Sequence, residues 1–210
     1  MPSSVTKKEI QKHLPQADAW ILKPIFHEVS PSLVPAKRSF IVFMDLQGLT
    51  RKVKKNKDGY YHLIDHRWTG WKKWQGKIDI LRVSDEDVEH MAFPPAIKTL
   101  SQKLTYLQRH GFPLVIATQG SKPTLVVTKR GVKTVPGHKV VALDTGGAGD
   151  SFNAGFMAGY LRHRDPIIAA AFGNATASFM VSGQGTTKVP DITTVTSRAK
   201  TILKKIGYAF

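Results

Sequence analysis

Short continuous apolar runs alternate along this chain with longer stretches in which apolar residues recur every three or four positions. Ala19 to Leu22 reads as a buried strand ending at Pro24, and Phe40 to Met44 as a clearer one. Their unbroken apolar character suits a sheet covered on both faces. Ile78 to Val83 predicts a further strand, and Leu114 to Ala117 another. Thr124 to Thr128 and Val132 to Val135 read as a hairpin turned at Lys129-Arg130-Gly131. Val140 to Leu143 is expected to be a strand entering a glycine-rich turn. Between these lie helical patterns. Thr6-Lys7-Lys8-Glu9 is a capping box opening a short helix, and Ser84-Asp85-Glu86-Asp87 is a second. Pro95 to Arg109 places Ile97, Leu100, Leu104 and Leu107 on one face, with Gly111 as a stop. A helix starts near Ala148, and another opens at Asp165-Pro166 and stops at Gly183. A last one covers roughly Thr194 to Ile206. Strands alternating with helices predict an α/β fold, a mostly parallel central sheet with helices on both faces.

The polar stretch from Arg51 to Lys77 interrupts this alternation. It holds nine Lys or Arg and three of the four Trp, namely Trp68, Trp71 and Trp74. Basic and aromatic residues interleaved in this way suit single-stranded nucleic acid. Asp58-Gly59 is a hairpin turn and Tyr60 to Ile64 has strand propensity, so the expectation is a two-stranded excursion with its Trp packed on the domain. His62 and His66 read as strand or loop, not as a helical metal pair. Residues 1–210 are expected to form a single domain, with 51–77 as its excursion.

Composition narrows the chemistry. The absence of Cys excludes disulfides, thiolate catalysis and thiolate metal sites. No apolar run is long enough to span a bilayer, and the polar, basic N-terminus lacks the core of a secretory signal, so a cytoplasmic protein is expected. Lys and Arg total 31 against 15 acids, a net charge of +16 that favours anionic partners.

The chemistry concentrates in Asp144-Thr145-Gly146-Gly147-Ala148-Gly149-Asp150, continued by Ser151-Phe152-Asn153-Ala154-Gly155. The turn contains no bulky side chain and opens a helix. Glycine and alanine let a ligand approach the backbone, and the unpaired N–H groups of the first helical turn attract anions, as does the helix dipole. Phosphate is the natural guest. Asp150 would repel a phosphate in the same nest. It makes sense as an acceptor of the proton from a hydroxyl that attacks the phosphate.

From Asp144 through Met157 this string is similar to the C-terminal signature of the ribokinase-like (PfkB) family of carbohydrate kinases. The resemblance extends over most of the chain. Asp45-Leu46-Gln47-Gly48 with Arg51, Thr118-Gln119-Gly120, Asn174 and Val189-Pro190 all fall where relatives carry similar segments. It implies a three-layer α/β/α ribokinase-like fold, with Asp150 as the general base and the amides of Gly147, Ala148 and Gly149 as an anion hole. Thr118, Gly120 and Asn174 would border the nucleotide. Asp144 would lie near a monovalent cation such as K⁺. Ser84 and Asp87 stand where relatives place the Asn and Glu that organise magnesium through water, so Asp87 is the candidate Mg²⁺ residue. The sequence departs from the pattern at Gly146, where many relatives have Thr. It also lacks the N-terminal Gly-Gly-x-x-x-Asn region, so the N-terminal strands and lid that supply most acceptor contacts are expected to be absent.

The activity implied is ATP- and Mg²⁺-dependent transfer of the γ-phosphate to a hydroxyl of a sugar, nucleoside or polyol. A non-catalytic nucleotide-binding module or degenerate relative is the alternative. No membrane partner is expected, nucleic acid is the disfavoured partner, and a homodimer is compatible with the resemblance. The acceptor stays open among sugar, nucleoside, inositol and sugar phosphate.

Overall fold

A computed structural model describes residues 4–11, 17–185 and 189–210. They fall into two compact units, Met1–Ala117 with Val127–Gly131, and Thr118–Val126 with Val132–Phe210.

The first unit begins with α1 (Lys7–Gln11), held by the expected capping box: Thr6 Oγ1 accepts from the Glu9 N–H at 3.3 Å and Glu9 Oε2 accepts from the Thr6 N–H at 2.8 Å. There follow β1 (Ala19–Leu22), β2 (Ile41–Asp45), a ribbon of β3 (Arg51–Lys55) and β4 (Tyr61–Asp65), then β5 (Ile80–Ser84), α2 (Asp85–Glu89), α3 (Leu100–Arg109) and β6 (Leu114–Gln119). Sheet order is β1-β2-β5-β6, with β1 parallel to β2 and β2 parallel to β5. Val42, Phe43 and Met44 of β2 are fully buried, as an apolar run covered on both faces requires.

The Arg51–Lys77 excursion divides into two behaviours. β3 and β4 pair antiparallel, with Lys54 opposite His62, around a turn in which Gly59 has φ +88°. The Tyr60 N–H donates to Asn56 Oδ1 at 2.8 Å. All of β4 is exposed. Trp68, Trp71 and Trp74 are instead buried in the first unit, and Trp71 meets Tyr106 edge-on at 5.9 Å. Size and apolar area drive the indoles inward while the lysines stay solvated.

The helix predicted from Pro95 begins five residues later, at Leu100. Thr99 caps it: its side chain accepts from the Gln102 N–H at 3.2 Å, and Gln102 Oε1 accepts from the Thr99 N–H at 3.0 Å. This capping box overrides the apolar periodicity that includes Ile97.

The division between units falls inside β6 and β7 (Lys122–Thr128). The second unit continues through β8 (Gly131–Val135), α4 (Ala148–His163), α5 (Pro166–Val181) and α6 (Ile192–Lys204). β7 and β8 are the predicted hairpin. Asp165 caps α5 by accepting from the N–H groups of Ile167 and Ile168 at 2.8 and 3.0 Å, with Pro166 at the first position. α4 and α5 approach closely because glycines line their seam. A Cβ on Gly159 would stand 2.9 Å from Phe172 Cβ, and one on Gly173 2.7 Å from Phe152 Cε2.

One predicted strand does not form. Val140 to Leu143 has no ladder partner among the described residues, and Val141 and Leu143 are 79% and 66% exposed. The N–H groups of Leu143 and Asp144 donate instead to the Val181 carbonyl at the end of α5, at 2.7 and 3.3 Å. With the backbone satisfied by a helix end, the apolar run lacks the neighbour that would make it a strand.

Candidate functional site

The glycine turn is built by Asp144. Its Oδ1 accepts from the Gly146 N–H at 2.8 Å, and its Oδ2 from the Gly185 N–H at 3.1 Å. Those two amides, Gly146 first, hold its carboxyl below the usual carboxylate range against a small opposing effect of burial. A side chain at Gly146 would begin 3.1 Å from Asp144 Oδ1, so glycine here lets the carboxylate fold over its own turn. Gly147 then takes φ +74°, the left-handed conformation that aims the chain into α4. The amide of Ala148 donates to the Thr145 carbonyl at 3.2 Å, whereas those of Gly147 and Gly149 have no acceptor among the described residues. Amides of this kind at the start of a helix, here one of 16 residues, attract anions in general.

Thr145 and Ala148 form part of the wall of a cavity of about 640 Å³ in the second unit. Its opposite contributions come from Gly120, Ser121 and Lys122 at the β6–β7 turn, from residues 137–140, and from Asn174, Ala177, Ser178 and Val181 of α5. Among the described residues the lining carries Lys122, Lys139 and His138 and no carboxylate, with apolar residues at Val140, Ala142 and Ala177. Its size falls within the range of roughly 300–1,000 Å³ typical of small-molecule sites.

Of the residues singled out in the sequence, Ala148, Gly120 and Asn174 line this cavity. Gly120 has φ +56° and nothing within 4 Å of where a Cβ would stand, which leaves the wall open there. Thr118 is half-buried two positions earlier, off the wall. Asn174 uses its whole amide inside the protein. Its Nδ2 donates to the carbonyls of Val135 and Pro136, both at 3.1 Å, and its Oδ1 accepts from the Thr124 hydroxyl at 2.8 Å. It therefore shapes the cavity by tying the segment after β8 to α5. Asp150 sits exposed in the first turn of α4, outside the cavity wall.

Asp87 lies in the first unit, where it is buried. Its Oδ1 accepts from the Thr50 hydroxyl at 2.9 Å, and its Oδ2 from the Ser84 N–H and hydroxyl at 3.0 and 2.6 Å. It completes the capping box of α2, with Ser84 as the cap. Among the described residues no group of three or more His, Asp or Glu could hold a metal ion.

Sequence reasoning missed Lys122, His138, Lys139 and Ser178 on the wall, since they come from separate segments joined only by folding. It also missed the buried pair in which Arg82 Nη1 donates to both oxygens of Asp45 at 3.1 Å, across neighbouring strands β5 and β2.

The fold is α/β with a mostly parallel sheet, and its glycine turn borders a cavity that Lys122, Lys139 and His138 line. The profile of the pfkB family carbohydrate kinases matches residues 47–193, and the chain belongs to that family. It is 33% identical over 119 residues to a nucleoside kinase of Methanothermobacter thermautotrophicus, covering 55% of this chain and 36% of that one. The fold is similar to that of a Thermotoga maritima ribokinase, with TM-score 0.68, 23% identity, and coverage of 96% of this chain and 62% of the other. An Arabidopsis thaliana ribokinase complexed with ribose and ATP gives TM-score 0.70 at 20% identity, covering 95% and 61%. The chain thus spans less than two thirds of the length of these ribokinases and about a third of the curated relative. No helix among the described residues is long and apolar enough to cross a membrane.

Proposed function

We propose that this chain holds the phosphate donor of an ATP-dependent kinase that phosphorylates a hydroxyl of a sugar, nucleoside or polyol. The observation that carries the reading is the pair of amides of Gly147 and Gly149, without an acceptor among the described residues, beside a cavity to which those residues bring lysines and no carboxylate. The nest takes the transferring phosphoryl group and stabilises the charge that grows on its oxygens. Asp150, exposed on the same helical turn, accepts the proton of the attacking hydroxyl. Lys122 and Lys139 attract the rest of the phosphate chain. Asp144 holds the turn in shape. In this reading Mg²⁺ enters with the nucleotide's phosphates and neutralises their charge, since it keeps most of its ligands as water and phosphate oxygen.

A second reading, a nucleotide-binding module without turnover, is favoured by Asp150 lying outside the cavity wall. Calorimetric titration with Mg-ATP, followed by phosphoryl-transfer assays against sugars, nucleosides and polyols, separates the two. Binding with transfer to one of these acceptors supports the kinase. Binding without transfer to any supports the module, and the absence of ATP binding removes both.

A further inference from the structure

His138 lies between the end of β8 and the glycine turn, on a segment without regular structure. Asn174 fixes that segment from behind by donating to the carbonyls of Val135 and Pro136. The imidazole is half-buried, lines the cavity, and has its Nδ1 buried with no hydrogen-bond partner among the described residues. Burial, and then the positive charges of Arg198 and Lys205, hold it below the usual histidine range, so the ring is neutral near pH 7. Arg198 is itself fixed, donating to Ser178 Oγ at 2.9 Å with its guanidinium 3.2 Å over the Phe179 ring.

A neutral imidazole carries one N–H and one lone pair. A buried N–H with no acceptor is rarer and more costly than an unfilled acceptor. The proton therefore belongs on Nε2, and the ring edge left to meet the cavity is a donor. The same wall carries apolar residues at Val140, Ala142 and Ala177, while in the proposed reading the phosphates go to the glycine amides and the two lysines. A neutral donor, on a wall that also carries Val140, Ala142 and Ala177, suits an uncharged acceptor atom of a ligand.

We propose that His138 is a donor-specificity residue: its Nε2–H hydrogen-bonds an acceptor atom of the nucleoside portion of the phosphate donor, a ring nitrogen or a sugar oxygen. This rests on the cavity being the nucleotide site. It makes the chain discriminate a nucleoside triphosphate from a bare polyphosphate, because the bare chain leaves that N–H without an acceptor.

The test compares Mg-ATP with Mg-tripolyphosphate by calorimetry on the full chain, as wild type, His138→Leu and His138→Gln. Leucine fills the space without a donor, and glutamine restores an N–H. The expected result is an ATP affinity lower by about tenfold in His138→Leu, the worth of one ligand hydrogen bond, with tripolyphosphate changed by less than about twofold. His138→Gln should recover most of the ATP affinity, and the melting temperatures of the three proteins should agree. An equal loss for both ligands would show that His138 serves the phosphates or the fold, and unchanged ATP affinity in His138→Leu would show that it touches no ligand. Either overturns the proposal while leaving the nucleotide site intact. A wild type that binds tripolyphosphate and ATP equally also overturns it, and one that binds neither removes the nucleotide reading itself.

Discussion

Asp150 and Asp144 stand six residues apart, and the proposed reading gives them different duties that substitution separates. Asp150 is exposed, and Asp150→Asn keeps the size of the side chain while removing the carboxylate that serves as proton acceptor in the proposed reading. The expected outcome, in whatever assembly is competent for turnover, is unchanged ATP binding within about threefold and a kcat lower by about 10²–10⁴-fold. A steady-state assay paired with a nucleotide titration measures both. Asp144 instead accepts two amides, which depress its pKa beneath the ordinary 3.8. A depressed carboxylate contributes its stabilisation in full above the unfolded value and loses it as pH falls through the folded one. The glycine turn should therefore be insensitive to pH from neutrality down to about 4, and should loosen only at more acid pH. Amide NMR shifts of Gly146 and Gly185, followed down an acid titration, should move together with a midpoint below 3.8.

At the scale of elements, the seam between α4 and α5 sets the aim of the glycine turn, because α4 carries its first turn and α5 anchors its approach through Val181. Gly173→Ala tests that seam. Alanine is favoured over glycine in a helix by about 1 kcal/mol, while overpacking costs about 1–3 kcal/mol. The new methyl would meet Phe152 Cε2 at 2.7 Å and the Phe152 carbonyl oxygen at 3.0 Å, and the carbonyl cannot swing aside. The clash should win, giving a net loss of about 1 kcal/mol by urea unfolding. Gly137→Ala, with nothing within 4 Å and no left-handed φ, should stay within about 0.5 kcal/mol. The elements were legible in sequence wherever a local signal fixed them: the capping boxes at Thr6 and Ser84, Asp165-Pro166, and the glycine turn itself. They were misread where a distant partner decides. Val140 to Leu143 has strand composition but meets the end of α5 instead of a strand. The site divides in the same way. Its amides lie in one contiguous string, but Lys122 and His138 reach the cavity from opposite sides of a hairpin and carry no spacing that could reveal them.

The whole molecule is governed by its charge. With 31 Lys and Arg against 15 acids, most cations have no acidic partner to balance them, and each repels the rest. That repulsion acts on the folded state, which packs the charges closer than the unfolded chain does. Salt screens it over about 10 Å at 0.1 M and about 3 Å at 1 M. Raising NaCl from 0.05 to 0.5 M should therefore raise the melting temperature. The same screening weakens the attraction of Lys122, Lys139 and the surrounding field for a polyanion, so the Kd for Mg-ATP should rise severalfold across that range. Chloride is the salt to use, because sulfate would compete for the proposed amide nest and stabilise by binding there. The two responses have opposite signs and one cause. Differential scanning fluorimetry without nucleotide, beside a calorimetric titration at each salt concentration, checks both. A melting temperature indifferent to salt would mean that the lysines are spaced widely enough not to feel one another. In that event any salt dependence of ATP binding would belong to the cavity alone.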